Sequence, residues 1–79
     1  MSKNYVGVLA LYEPNGDIRP LEIIWKDGYR YPIDTVKQVC SAASLKSGGI
    51  GTRFTCVIRG QLRYLYLEEK QQRWFVERL

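Results

Sequence analysis

Basic residues in this sequence are concentrated in a stretch that has no carboxylate. From Val36 to Leu67 there are five basic residues and no acidic residue. The remaining seven of the twelve basic residues are matched by all eight acidic ones. The formal net charge of +4 therefore originates in this stretch. Its basic residues are Lys37, Lys46, Arg53, Arg59 and Arg63.

Arginine and tyrosine side chains on the outside of a small β-barrel are suited to a phosphate backbone and to stacked bases. The strand pattern described below places such side chains on one outward face, beside a glycine-rich loop. We therefore predict a non-catalytic site for nucleic acid or another polyanion, such as an acidic protein. Its residues are Lys46, Arg53, Arg59, Tyr64 and Tyr66.

Two other interpretations of this face remain open. Arginine and tyrosine are common on the solvent side of antiparallel strands, where tyrosine has high β-propensity and the arginine stem covers apolar surface. Surface aromatics and an open strand edge would also suit a protein–protein interaction or self-assembly module, including a homo-oligomer.

The residue types argue against catalysis and against a metal site. The chain has no histidine, which is the commonest general base and the commonest metal ligand. The serines Ser41, Ser44 and Ser47 have no candidate base except Lys46, and no carboxylate pair is spaced as an acid–base couple. Two cysteines alone do not complete a zinc site. We expect no enzyme activity, no cofactor and no metal.

The glycine-rich stretch from Lys46 to Arg53 allows two interpretations. Successive glycines can direct backbone N–H groups at an anion. However, the stretch matches neither G-x-x-x-x-G-K-[ST] nor G-x-G-x-x-G. A loop that joins two strands is the simpler interpretation.

The stretch from Leu21 to Ile33 predicts the central hairpin, because Asp27-Gly28 lies between β-forming residues. A three-residue loop, Lys26-Asp27-Gly28, would pair Trp25 with Tyr29. A two-residue loop would pair Trp25 with Arg30 instead. We favour the first because it gathers the apolar residues on one face. That face would hold Leu21, Ile23, Trp25, Tyr29, Tyr31 and Ile33, leaving Ile24 to point outward.

A second hairpin is predicted around Gly60. With a two-residue loop that has Gly60 in its first position, the inward residues are Phe54, Cys56, Ile58, Leu65 and Leu67. Arg53, Thr55, Arg59, Tyr64 and Tyr66 then lie outward. A three-residue loop, Arg59-Gly60-Gln61, would instead place Tyr64 and Tyr66 with Phe54. We favour the two-residue loop.

The other elements are also predicted to be short strands. They are Tyr5 to Tyr12, Asp17 to Lys26, Tyr29 to Ile33 and Arg73 to Glu77, with Trp74 and Val76 on the face opposite Phe75. Between Asp34 and Leu45 either a helix or a strand fits, and we favour a turn at Asp34 followed by a strand from Val36 to about Ala43. Six or seven short antiparallel strands predict an all-β, SH3-like or OB-like barrel formed as a single domain by residues 1–79.

Composition supports a folded protein outside the membrane. The hydrophobic fraction is 46%, and ten residues are aromatic, which argues against disorder. No apolar run reaches the roughly 20 residues of a membrane span, and the first residues do not resemble a signal peptide. We therefore expect a cytoplasmic protein in which Cys40 and Cys56 are reduced.

Three segments carry a family resemblance. They are Trp25-x-Asp27-Gly28-x-x-Tyr31-x-Ile33-Asp34-x-Val36, Ala43-Ser44-Leu45-Lys46-x-Gly48-Gly49-x-Gly51-x-Arg53-Phe54-Thr55-Cys56 and Arg73-Trp74-Phe75-Val76-Glu77. Together they resemble a group of small uncharacterised proteins of Gram-positive bacteria. The resemblance implies a self-contained cytoplasmic domain and transfers no site residue. The W-x-D-G-x-x-Y-x-I part is also similar to segments that follow some bacterial translesion polymerases.

Overall fold

Seven β-strands form the fold in a computed structural model, which describes residues 3–42 and 51–77. The strands are β1 (Asn4–Tyr12), β2 (Ile18–Ile24), β3 (Arg30–Pro32), β4 (Thr35–Ser41), β5 (Gly51–Ile58), β6 (Gln61–Glu68) and β7 (Arg73–Val76). All paired strands are antiparallel. No helix occurs in these two ranges. The predicted all-β class is confirmed.

The strands form one curled sheet in the order β3-β2-β1-β7-β6-β5-β4, which is a half-barrel. Strand β1 contributes to both halves of the curl, because Asn4 to Val6 pair with β7 and Gly7 to Tyr12 pair with β2. Strands that pass from one part of a sheet to another in this way form the corners of small barrels.

The two edge strands, β3 and β4, are consecutive in the chain and form a second corner. The Ile33 N–H donates to the Leu21 carbonyl at 2.9 Å, on the β2 side of the sheet. The next amide, that of Asp34, donates to the Val57 carbonyl of β5 at 2.8 Å. Two adjacent amides therefore hold together the two ends of the curled sheet.

The core lies inside the curl, where alternate residues of each strand meet. Its buried hydrophobic residues are Ile23, Phe54, Cys56, Ile58, Leu65, Leu67, Trp74 and Val76. Trp74 and Val76 point inward and Phe75 points outward, as predicted. Because side chains on a strand alternate between its two faces, the residues between these positions must face the outside.

The central hairpin has the predicted three-residue loop. The Trp25 N–H donates to the Tyr29 carbonyl at 2.8 Å, and Ile23 lies opposite Tyr31. Gly28 has a φ of +89°, a left-handed conformation that glycine adopts without strain. The Asp27 side chain accepts a hydrogen bond from the Tyr29 N–H at 2.8 Å.

Leu21 does not share the buried face of this hairpin, so that part of the prediction is wrong. The register between β1 and β2 shifts at this point: Leu9 lies opposite Glu22, and Ala10 lies opposite Pro20. The shift leaves Leu21 as an extra residue on β2, a β-bulge that changes which side chains face inward. Pro20 is consequently buried, and Leu21 is 42% exposed.

The β5–β6 hairpin turns one residue earlier than predicted. Ile58 pairs with Gln61, so the two-residue loop is Arg59-Gly60. Both loop residues have positive φ, +53° and +76°, as a type I′ turn requires. Because the pairing moves by two positions, every residue keeps its face, and Phe54, Cys56, Ile58, Leu65 and Leu67 are buried as predicted.

The segment after Asp34 is a strand, as favoured above, and the alternative helix is wrong. Val36 pairs with Cys56 and Gln38 pairs with Thr55, so Lys37 lies in a bulge between them. The β-branched residues Thr35, Val36 and Val39 suit this conformation. The predicted continuation to Ala43 lies outside the described residues, as does most of the glycine-rich loop.

The two thiols lie on opposite faces of the sheet, and both are free. Cys56 has no exposed surface, and burial raises the pKa of its thiol to about 11. Cys40 is only partly buried and lies opposite Arg53. We expect iodoacetamide at a pH of about 8 to alkylate Cys40 alone in the folded protein, because thiolate is the reactive form.

Peptide mapping by mass spectrometry would test this prediction. In about 6 M guanidinium chloride, both thiols should react, since unfolding removes the burial that suppresses Cys56. Equal alkylation of both thiols in the folded state would contradict the buried position of Cys56.

Candidate functional site

Three of the five predicted site residues come together on the outer face of the β5–β6 hairpin. Arg53 lies directly opposite Tyr66, and Thr55 lies opposite Tyr64. Directly opposed side chains on one face are about 5 Å apart at Cβ. Arg53, Tyr64 and Tyr66 therefore form one continuous group, which we call the outer-face group.

Within this group Arg53 is positioned by stacking. Its guanidinium carbon lies 4.7 Å from the centre of the Tyr64 ring, a cation–π contact, and Tyr64 is 48% exposed. The buried Arg53 Nε and Thr55 Oγ1 atoms make no hydrogen bond to the described residues. The guanidinium thus lies against an aromatic ring that also faces solvent.

Tyr66 forms the base of the group. Its ring stacks on Phe75 with centroids 4.8 Å apart and planes 6° apart. Burial raises the pKa of the Tyr66 phenol, the charge of Glu77 raises it further, and Arg53 acts in the opposite direction. A raised pKa keeps this phenol neutral at physiological pH, so it adds no negative charge beside Arg53.

Arg59 does not join the outer-face group. It lies in the β5–β6 turn, with its guanidinium carbon 5.3 Å from the ring centres of both Tyr29 and Tyr31. It also donates a hydrogen bond to the Tyr29 hydroxyl. The two tyrosines pack edge to face with centroids 4.8 Å apart. The prediction that Arg59 shares a face with Tyr64 and Tyr66 is therefore wrong.

Arg59 instead belongs to a second basic and aromatic group at the end of the barrel. Together with Tyr31, Ile58, Gln61 and Arg63 it lines a depression of about 260 Å³. Arg63 donates a hydrogen bond to the Gln61 side chain at 2.6 Å. We call Arg59, Arg63, Tyr29 and Tyr31 the end group.

Arg63 connects the two groups. It also lines a smaller depression of about 160 Å³ with Leu62, Tyr64 and Glu77. A basic and aromatic surface thus extends around the β5–β6 hairpin, from Arg53 and Tyr64 to Arg59 and Tyr29. Lys46, the fifth predicted site residue, lies outside the described residues.

The hairpin arginines differ in their charge partners from the other arginines in the described ranges. Among the described residues, the ion pairs are Lys3–Glu68, Arg19–Glu13, Arg30–Glu22 and Arg73–Glu68. Within the same ranges, Arg53, Arg59 and Arg63 lie within 4 Å of no carboxylate oxygen. Their contacts are with tyrosine rings and, for Arg63, an amide, so none of the three forms an ion pair within the described residues.

Sequence reasoning missed Tyr29, Tyr31 and Arg63 as site residues. The two tyrosines were assigned to the core face of the central hairpin, and Tyr31 does pack against the core. Nothing in the local pattern indicates that the β5–β6 turn would place Arg59 over them. Arg63 could have been identified from its position in the acid-free stretch, the residues from Val36 to Leu67 that include basic side chains but no acidic one.

A buried carboxylate lies on the same side of the sheet as the outer-face group. Glu68 is 3% exposed and accepts hydrogen bonds from Lys3 Nζ at 2.9 Å and from the Tyr5 hydroxyl at 3.0 Å. Arg73 lies 3.3 Å away. Burial alone would raise the pKa of Glu68, but the hydrogen bonds from Lys3 and Tyr5 and the two positive charges together lower it. The contacts join β1, β6 and β7.

We expect Glu68→Gln to lower the free energy of unfolding by about 1–3 kcal/mol at neutral pH, because Lys3 and Arg73 lose their charge partner. Since the native pKa of Glu68 is lowered, its contribution exists above the pKa of the unfolded state. It disappears as pH falls through the native pKa. Urea unfolding of wild type and variant would measure this, and their free energies of unfolding should become more similar as the pH falls from about 6 to about 3.

The matched control is Glu22→Gln. Glu22 pairs with Arg30 at 2.7 Å, but the Arg30 side chain is 59% exposed. An exposed pair contributes about 0–1 kcal/mol. Equal losses for the two variants, or a difference for Glu68→Gln that does not change with pH, would contradict the assigned role of Glu68.

In residues 3–42 and 51–77 no helix is long and apolar enough to cross a membrane. In the same ranges no three cysteine or carboxylate side chains are grouped as potential metal ligands. Comparison of the chain with protein-family models, curated proteins and solved structures finds no match in any of the three. The resemblance to small proteins of Gram-positive bacteria therefore stays a prediction.

Proposed function

We propose that this protein is a non-enzymatic, cytoplasmic β-domain that binds nucleic acid or another polyanion through the β5–β6 hairpin surface. The proposal rests on the difference in charge partners between the hairpin arginines and the other described arginines. Carboxylates pair with Lys3, Arg19, Arg30 and Arg73, whereas the hairpin arginines lie on tyrosine rings. A solvent-facing arginine without a carboxylate is free to bind phosphate.

Among polyanions, single-stranded nucleic acid fits this surface best. Tyr64 is 48% exposed and Tyr29 is 47% exposed, and each carries an arginine against its ring. Unstacked bases pack on exposed aromatic rings, while adjacent arginines contact the phosphates. A duplex keeps its bases stacked, and the described residues contain no helix that would enter its major groove.

A second candidate, a protein-interaction module, is favoured by a different feature. Strand β4 is an edge strand that pairs only with β5 among the described strands. Its Val39 side chain is 55% exposed. An open edge with an apolar side chain can accept another strand.

Fluorescence anisotropy with a labelled thymidine oligonucleotide of roughly 12 nucleotides tests the first candidate. We expect affinity to fall between about 50 and 200 mM salt, because each neutralised phosphate releases a counterion. Arg53→Gln and Arg59→Gln should each weaken binding and make the slope of log K against log salt shallower by about one phosphate contact. Tyr64→Leu should cost about 1–3 kcal/mol in binding, through loss of stacking.

Arg19→Gln is the control for net charge, since Arg19 is exposed and paired with Glu13 at 3.2 Å. It removes the same positive charge away from the hairpin and should leave affinity unchanged. A duplex of the same length should bind more weakly than the single strand. Affinity that is absent, that does not depend on salt, or that falls equally in Arg19→Gln would remove the proposal.

A further inference from the structure

The open side of the half-barrel contains a cleft of about 510 Å³. It lies between β4, the beginning of β2 and the turns at the same end of the barrel. Its apolar lining comes from Ile18, Val36, Val39 and Phe54. Phe54 is part of the core, while Val39 is 55% exposed. The cleft therefore extends from solvent to the edge of the hydrophobic interior.

Two strands present unpaired edges to this cleft. Among the described residues, β4 pairs with β5 only. Strand β3 covers β2 only from Glu22 to Ile24, so Ile18 and Arg19 pair with β1 alone. On an edge strand, every second residue directs its backbone N–H and C=O groups away from the sheet, where they can pair with an added strand.

The rim of the cleft is acidic. Glu13, Asp17 and Glu69 all line it, and Arg19 is the one basic residue lining it among the described residues. Arg19 pairs with Glu13 at 3.2 Å, and Glu69 accepts a hydrogen bond from the Thr52 hydroxyl. Asp17 and Glu69 therefore form no ion pair with any cation in residues 3–42 and 51–77. This charge is opposite to that of the hairpin surface.

We infer that this cleft binds an extended, cationic and apolar peptide segment of another protein by strand addition to β4. Backbone groups of the segment would pair with the open edge of β4, which gives affinity without sequence specificity. An aliphatic side chain of the segment would enter the cleft beside Val36 and Val39. Lysine or arginine side chains near it would pair with Asp17 and Glu69. The extended backbone, the aliphatic side chain and the positive charge are three independent requirements on the sequence of the partner.

The experiment uses the whole protein and synthetic peptides with blocked ends. The probe is Thr-Lys-Thr-Val-Thr-Lys-Thr, which places two lysines and the central valine on the same face of an extended strand. One comparison peptide has glutamate in place of lysine, and another has an N-methyl group on its central valine. Titration followed by ¹⁵N–¹H correlation spectra gives both the affinity and the amides that shift.

We expect the cationic peptide to shift amides of β4 and of Ile18 and Arg19. The acidic peptide should bind at least about tenfold more weakly, because it faces the carboxylates at the rim. N-methylation should weaken binding by a similar factor, since it removes a backbone donor. A peptide that binds only through charge would be insensitive to N-methylation, and that result would overturn strand addition.

Val39→Lys tests the cleft directly, because it places a bulky cation on the β4 side of the opening. Val39 is 55% exposed, so the fold should tolerate the change. Leu9→Lys is the matched control, since Leu9 is 51% exposed on β1 and does not line the cleft. Val39→Lys should reduce affinity for the cationic peptide at least about tenfold, and Leu9→Lys should leave it unchanged.

Besides insensitivity to N-methylation, three results would overturn the inference. They are equal binding of the cationic and acidic peptides, amide shifts confined to the β5–β6 hairpin, and equal losses in the two lysine variants. Light scattering can give a fourth result that would overturn the inference. If the protein self-associates and Val39→Lys abolishes the association, the cleft belongs to a second copy of the chain. Val39 and Leu9 are not varied in the oligonucleotide experiment, and Arg53, Arg59 and Tyr64 do not line the cleft, so either proposal can fail without the other.

Discussion

The strict alternation of side chains along β5 and β6 is the constraint on which the rest of this structure depends. Phe54 and Cys56 on β5 meet Leu65 and Leu67 on β6 inside the curl, and all four are buried. The intervening positions, Arg53 and Tyr64 among them, must then face outward. The hydrophobic core and the basic surface are therefore two consequences of one register, because a shift of one residue would exchange them.

The acid-free stretch of sequence becomes a surface because of the order of the strands. Strands β4, β5 and β6 are neighbours in the sheet and, apart from Thr35 and Glu68 at the two ends, lie within that stretch. Cross-strand partners are the usual source of ion pairs on a sheet, and here they contain no carboxylate. At the end of β6, where Glu68 lies beside β7 and β1, the carboxylate pairs with Lys3 and Arg73.

Sequence reasoning gave the faces of β5 and β6 correctly but could not give contacts between distant elements. The turn at Gly60 was placed one residue too late, yet Phe54, Cys56, Ile58, Leu65 and Leu67 were assigned to the correct face, because alternation is insensitive to a shift of two positions in pairing. The bulge at Leu21 and the position of Arg59 over Tyr29 and Tyr31 were missed. Both depend on which strands meet in the sheet, and no local pattern of residues encodes that.

The opposite charges of the hairpin surface and the cleft follow from how the curl closes. The chain closes one corner with the adjacent amides of Ile33 and Asp34. Beyond that corner β2 and β4 separate, and the resulting gap is bordered by the turns that contain Glu13, Asp17 and Glu69. These carboxylates lie outside the acid-free stretch, so the segments that leave the gap open also give it negative charge. If both proposals hold, a ligand attracted to one of the two surfaces would be repelled by the other, which would separate anionic from cationic partners within a chain of 79 residues.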